Sequence, residues 1–239
     1  MALVACARIG GARREGAVEL SFPEAGAAHE GDDLGPAPLL VRPLRLGWAP
    51  LRGVPLVAPF GGRRQAAVRE ITVRDPRVSR LWERFCIDVG VSVERDASFV
   101  AERIFARLDE GYRVLILEDG DRYAIRAMCI FIVKSEPDGP VGYVMELLHD
   151  RSVAGMRAAS HLLGLAVRDM SSAGAMAVRA WSLPHSGSFP IFMRHAFLPA
   201  PARQKAREPR VVVRAVDSEL ADFVAQRDRW YLSYLDTDA

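Results

Sequence analysis

The chain has 239 residues, half of them apolar and 26% charged, with a formal net charge of +2. That is globular composition with enough apolar residues for a real core, and the charge is too small to argue for a nucleic-acid or anionic membrane partner. Cys6, Cys86 and Cys129 show no CxxC or Cys/His pairing, so no disulfide framework or zinc site follows and a reducing compartment fits best.

Met1 to Ile9 is apolar and is followed by Arg13-Arg14. It is too short for a membrane span, and its charge lies on the wrong side for a signal peptide, so the expectation is a soluble, cytoplasmic protein. Leu3 to Ile9 and Ala17 to Phe22 read as short strands, and Pro23 to Pro38 has no period. Leu39 to Leu46 and Gly53 to Phe60 are extended, but Pro43, Pro50, Pro55 and Pro59 exclude a central strand for most of this stretch. Gly61-Gly62-Arg63-Arg64 reads as a linker.

From Ala67 the pattern sharpens. Val68 to Val73 alternates as a strand, and Asp75-Pro76 starts a helix whose apolar stripe is Val78, Leu81, Trp82, Phe85 and Val89. Asp96 caps a second helix carrying Phe99, Val100, Ile104 and Leu108, ended by Glu110-Gly111. Three meander strands follow, Tyr112–Leu117, Tyr123–Val133 and Val141–Leu148, with Asp119-Gly120 and Asp138-Gly139 as hairpin signals. A helix from Val153 leads to a strand Ala175–Trp181, which the crossover makes a parallel neighbour of Val141–Leu148. A short helix over Phe189–Phe197 and a Pro break follow. Arg210–Val216 then reads as a closing strand, with a short helix from Asp217 to Ala225. Trp230–Leu235 either runs along the surface or adds a last strand. The sum is a mixed α/β layer, mostly antiparallel and flanked by helices.

This order of elements resembles the GNAT (Gcn5-related) N-acetyltransferase superfamily. Ile191-Phe-Met-Arg-His-Ala-Phe197 is similar to the family's aromatic-Tyr-x-Lys-x-Gly-Phe segment. Arg95-Asp-x-x-Phe99 with Arg103, Gly111-Tyr112, and the ending Arg229-Trp-Tyr-Leu-Ser-Tyr-Leu-Asp-Thr-Asp238 resemble a subgroup in which the domain is duplicated. Ser21-Phe22-Pro23-Glu24 and Leu39–Leu46 are similar to the last elements of a preceding repeat. The resemblance thus implies a partial N-terminal segment and linker over residues 1–66 and a GNAT-like domain over 67–239.

It also implies an acyl-CoA-dependent N-acyltransferase that uses acetyl-CoA as co-substrate. The expected acceptor is a small amine or sugar-amine, and the one expected protein partner is a second copy in a homodimer. In the family the pyrophosphate is held at the N-terminus of the crossover helix, where amide N–H groups and the helix dipole favour an anion. The matching residues here are Leu148, His149, Arg151, Ser152, Ala154, Gly155 and Arg157, with Phe192 at the position of the family's tyrosine. Arg151-x-x-Ala154-x-Met156 keeps the family's Arg without its glycine spacing, and Asp150 sets a carboxylate near the expected anion. Glu146 is the base expected to take the ammonium proton, with His149 a second choice. Because Phe192 cannot donate a proton, Tyr143, Tyr112 or solvent must protonate the leaving thiolate. Two alternatives stand beside this reading: a GNAT-like binding or dimerisation module without catalysis, and a Fem-type aminoacyltransferase, which lacks the basic face that transfer RNA would need.

Overall fold

A computed structural model describes residues 3–9, 12–14, 18–21, 32–36, 39–44, 67–120, 124–200, 210–215 and 218–237. The N-terminal strands are β1 (Leu3–Ile9), β2 (Ala12–Arg14), β3 (Val18–Ser21), β4 (Asp32–Pro36) and β5 (Leu39–Pro43). Then come β6 (Ala67–Glu70), α1 (Arg77–Phe85), β7 (Val91–Val93), α2 (Ala97–Arg103), β8 (Arg113–Asp119), β9 (Ala124–Glu136) and β10 (Gly139–His149). The chain continues with α3 (Val153–Ser172), β11 (Ala177–Trp181), α4 (Phe189–Arg194), β12 (Leu198–Pro199), β13 (Arg210–Ala215) and α5 (Ala221–Val224).

Seven strands form the main sheet in the order β12-β5-β11-β10-β9-β8-β6. Only β10 and β11 run parallel; the other pairings are antiparallel. The expected meander is β8-β9-β10, and the crossover between the parallel pair is α3, as the apolar face of the Val153 helix requires. The central strand β9 is buried on both faces from Ala127 to Ile132, which is why it reads as a continuous apolar run rather than an alternating one.

Two cores lie on opposite faces of this sheet. On one, α3 and α4 pack Leu162, Leu163, Ala166 and Phe192 against Leu117, Phe131 and Leu147. On the other, α1 contributes Leu81, Trp82 and Phe85, and Val100 of α2 and Val213 of β13 join them. The cap read from sequence is in place, Asp96 accepting from the Phe99 amide at 2.7 Å; at α1 the N-cap is Pro76, and Asp75 before it accepts from the Arg77 amide at 2.9 Å.

Two expectations are corrected. Arg210–Val216 does not close the main sheet: β13 lies between β3 and β4 in a second sheet, β2-β1-β3-β13-β4, with β7 paired to β1. Beside β11 the slot is taken by β5, whose Leu39 and Leu40 enter one core each and are both buried. Trp230–Leu235 is neither a surface run nor a strand. All six residues are buried, joined to β7 by a parallel bridge from Trp230 to Val91, because the aromatic groups fill the core beneath α1. Gly53–Phe60 and the Gly61–Arg64 linker lie outside the described residues. No helix among the described residues is long and apolar enough to cross a membrane.

Candidate active site

The site begins with a register fault in β10. Val144 and Glu146 pair with successive β9 residues, Phe131 and Ile130, so Met145 is an extra residue and bulges. The parallel pairing of β10 with β11 covers Val141–Val144 against Ala177–Ala180 and ends there. A bulge bends its strand and raises the local twist. From Met145 to His149, β10 therefore continues along β9 while its other edge parts from β11. The space between the two strand ends, called the wedge below, is filled: Met145–His149, Trp181, Ser182 and Leu183 are all buried, and α3 starts at Val153 after three intervening residues.

At the start of α3, Ser152 is the N-cap and accepts from the Gly155 amide at 2.9 Å. Its hydroxyl donates to Asp150 Oδ1 at 2.5 Å, and its own amide reaches the same oxygen at 3.2 Å. Asp150 Oδ2 pairs with Arg126 at 2.6 Å. Burial raises the Asp150 carboxyl, but Ser152 and Arg126 outweigh it and hold the group below the ordinary carboxylate range. Gly155 is required here: a Cβ would stand 2.0 Å from Asp150 Oδ1. The residues expected to hold a pyrophosphate thus already hold an anion of the chain's own. Ala154 and Arg157 are exposed on the first turns of α3, while Leu148 is fully buried in the core.

Arg151 takes a left-handed conformation, φ 63°. It pairs with Asp88 at 2.9 Å, stacks over Phe85, and lies where a side chain on Gly187 would be. His149 Nδ1 accepts from the Arg151 amide at 3.1 Å, and its Nε2 faces the Gly187 carbonyl at 3.4 Å. Burial pushes His149 down to about 4, so the ring is neutral and the Nε2 proton is placed on Gly187.

Glu146 sits within a buried polar cluster. Its Oε1 accepts from the Leu147 amide at 2.8 Å and from the Tyr231 hydroxyl, and its Oε2 from Arg95 Nε at 2.5 Å and Ser233 Oγ at 2.9 Å. Four donors use the roughly four acceptor directions an ionised carboxylate has. Arg95, whose side chain is fully buried, also pairs with Asp236 at 2.6 Å, donates to the Val93 carbonyl, and lies against both the Trp82 and Tyr231 rings. Burial pulls the Arg95 guanidinium down, yet Asp236 and Glu146 together hold it above its ordinary value; burial raises Asp236 and Tyr231.

Tyr143 is not brought to Glu146. Its hydroxyl donates to Glu136 and accepts from Arg179 at 3.0 Å, in the half of β10 still paired with β11. Phe192 is buried on α4, edge-on to Phe197 at 5.2 Å, on the α3 side of the sheet. The tyrosine that does reach Glu146 is Tyr231. Sequence reasoning gave it no role, although the tail and Arg95 were among the segments that carried the subgroup resemblance, and Arg95 and Asp236 meet across 141 residues.

No protein-family model matches the sequence, and no curated protein matches it. The structure is similar to that of Saccharomyces cerevisiae N-myristoyltransferase with bound myristoyl-CoA and inhibitors, at TM-score 0.51 and 14% identity, covering 82% of this chain and 52% of that one. A GCN5-related N-acetyltransferase from Anabaena variabilis gives TM-score 0.49, 11% identity and coverage of 84% and 46%. A predicted acetyltransferase with acetyl-CoA from Clostridium acetobutylicum gives 0.46, 16%, and 58% and 93%. The chain spans about half the length of the N-myristoyltransferase it matches. With its meander, its crossover helix and a parallel pair that parts at a bulge, the chain has the fold of the GNAT superfamily.

Proposed function

We propose that the chain is an acyl-CoA-dependent N-acyltransferase that moves an acetyl group to the amine of a small molecule or sugar-amine. The observation that carries this reading is the parting of β10 from β11 at Met145, directly before the N-terminus of α3. A wedge between parallel strands leaves backbone groups of β10 without a strand partner, and an extended amide-bearing arm is the kind of ligand that adds to such an edge. The first turn of α3, with Ser152, Arg151 and Arg157 around it, is the matching place for the diphosphate. Asp150 is the residue that fits least, and the diphosphate has to displace or outbid its carboxylate.

In the reaction the ammonium gives up a proton, the amine nitrogen attacks the thioester carbonyl, the C–N bond forms and the C–S bond breaks, and the thiolate takes a proton. Glu146 is the assigned base, and one of its four donors must withdraw before it can accept. Tyr143 is turned toward Glu136 and Arg179, so the proton for the thiolate is assigned to solvent at the wedge mouth. The reading carries a cytoplasmic setting, with neither nucleic acid nor membrane as partner.

A second reading, a GNAT-like binding module without catalysis, is favoured by the saturation of Glu146 and by Asp150 at the α3 terminus. Calorimetric titration with acetyl-CoA separates the two. Binding in the micromolar range is expected for the acyltransferase; no heat and no thermal shift would leave the module reading. If binding holds, Glu146→Gln should abolish most turnover, and a variant at full rate removes Glu146 as base.

A further inference from the structure

Ser188 stands at the N-cap of α4, yet its side chain makes no cap bond. The hydroxyl crosses instead to β10 and donates to the Leu147 carbonyl at 2.8 Å. Leu147 lies in the part of β10 that β11 has left, and its amide is held by Glu146. Both backbone groups of Leu147 are thus satisfied by side chains where a strand partner is missing. The same loop meets β10 again where His149 Nε2 faces the Gly187 carbonyl, and His185 ties it to the Trp230 carbonyl at 2.8 Å. A second observation is independent of these. Ser182 follows directly on the last residue of β11, is 3% exposed, and its hydroxyl has no hydrogen-bond partner among the described residues. A buried hydroxyl without a partner is costly and marks a place where a polar group of a ligand would be bound.

We propose that the Ser182–Ser188 loop gates the wedge, with Ser188 holding the Leu147 carbonyl in place of a ligand amide and Ser182 waiting for a polar group of the entering arm. The proposal rests on the acyl-CoA reading above. Entry of a pantetheine arm exchanges one donor for another at Leu147: the Ser188 hydroxyl leaves and an amide N–H of the arm takes its place. No bond to carbon forms or breaks. The gate thereby lowers acyl-CoA affinity by the free energy of the Ser188 contact, and the ligand recovers affinity at Ser182.

The two serines should respond in opposite directions. Ser188→Ala leaves the Leu147 carbonyl unpaired in the free protein, so its Tm falls, and acetyl-CoA binds roughly fivefold to tenfold more tightly because the ligand restores the missing bond. Ser182→Ala binds acetyl-CoA about fivefold more weakly. If wild type binds acetyl-CoA and Ser188→Ala binds it equally or more weakly, Ser188 is a structural contact and the gate is overturned, while the acyl-CoA reading survives. If wild type and both variants give no binding heat, both proposals fall. Should Ser188→Ala not fold, hydrogen exchange on the wild-type chain decides: faster exchange over residues 183–188 with saturating acetyl-CoA supports the gate, and unchanged or slower exchange there overturns it.

Discussion

At Glu146 and Asp236 two carboxylates share one buried guanidinium, and that arrangement fixes what single substitutions should do. Arg95→Met removes the only cation among the described residues that pairs with either carboxylate, and leaves the two carboxylates buried against each other. A loss of about 3–5 kcal/mol is expected by urea unfolding. Adding Glu146→Gln and Asp236→Asn should restore much of it, because what costs is the uncompensated charge; a double or triple variant as unstable as the single would show that packing, not charge, sets the loss. Asp150 makes a different prediction. Asp150→Asn keeps the shape and removes a like charge from the expected diphosphate position, so acetyl-CoA should bind several-fold more tightly in calorimetry, and weaker binding would make Asp150 part of the seat. One buried and one half-buried histidine contribute to the pH response. His149 and His195 are each lowered from 6.5 to about 4 by burial. Below pH 6.5 the unfolded chain takes up protons that the folded chain refuses. Their contribution is therefore complete above that value and lost as pH falls toward 4, by up to about 1.4 kcal/mol per pH unit for each ring. Urea midpoints at pH 7 and pH 5 measure this, and His149→Gln should flatten the slope.

Among the elements, those with a local signal were legible in the sequence. The Asp96 cap, the α1 stripe, the meander and the α3 crossover each follow from spacing or turn chemistry within about twenty residues. What was illegible is non-local. The Met145 bulge leaves no mark in an apolar run, because an extra residue changes pairing and not composition. Nothing in Leu39–Pro43 says that it pairs with β11, since a three-residue apolar run followed by Arg42 and Pro43 carries no partner signal. The Glu146 cluster draws on Arg95, Tyr231, Ser233 and Asp236, which spacing alone could not bring together. Of the expected site, Ser152, Gly155, Arg151 and His149 are gathered at the wedge mouth because they are consecutive at a strand–helix junction; Tyr143 and Phe192 are placed elsewhere by the pleat and by α4.

For the molecule as a whole, the N-terminal segment and the rest are interleaved. β5 completes the main sheet, and β3 and β4 flank β13. A fragment of residues 67–239 would leave the β11 edge bare along five residue pairs and remove Leu39 and Leu40 from the two cores. Such a fragment should aggregate or unfold under conditions where the full chain melts cooperatively, since an unpaired, buried-type strand edge recruits other chains; a monomeric, cooperatively melting fragment would count against the interleaving. The central claim is that the wedge between β10 and β11 receives acyl-CoA, and a crystal structure of the full chain grown with acetyl-CoA tests it most directly. The account predicts the pantetheine arm between Met145–Leu147 and Trp181–Ser182, with the diphosphate at the first turn of α3. A ligand bound elsewhere, or a wedge still closed by Ser188 at saturating acetyl-CoA, would contradict it.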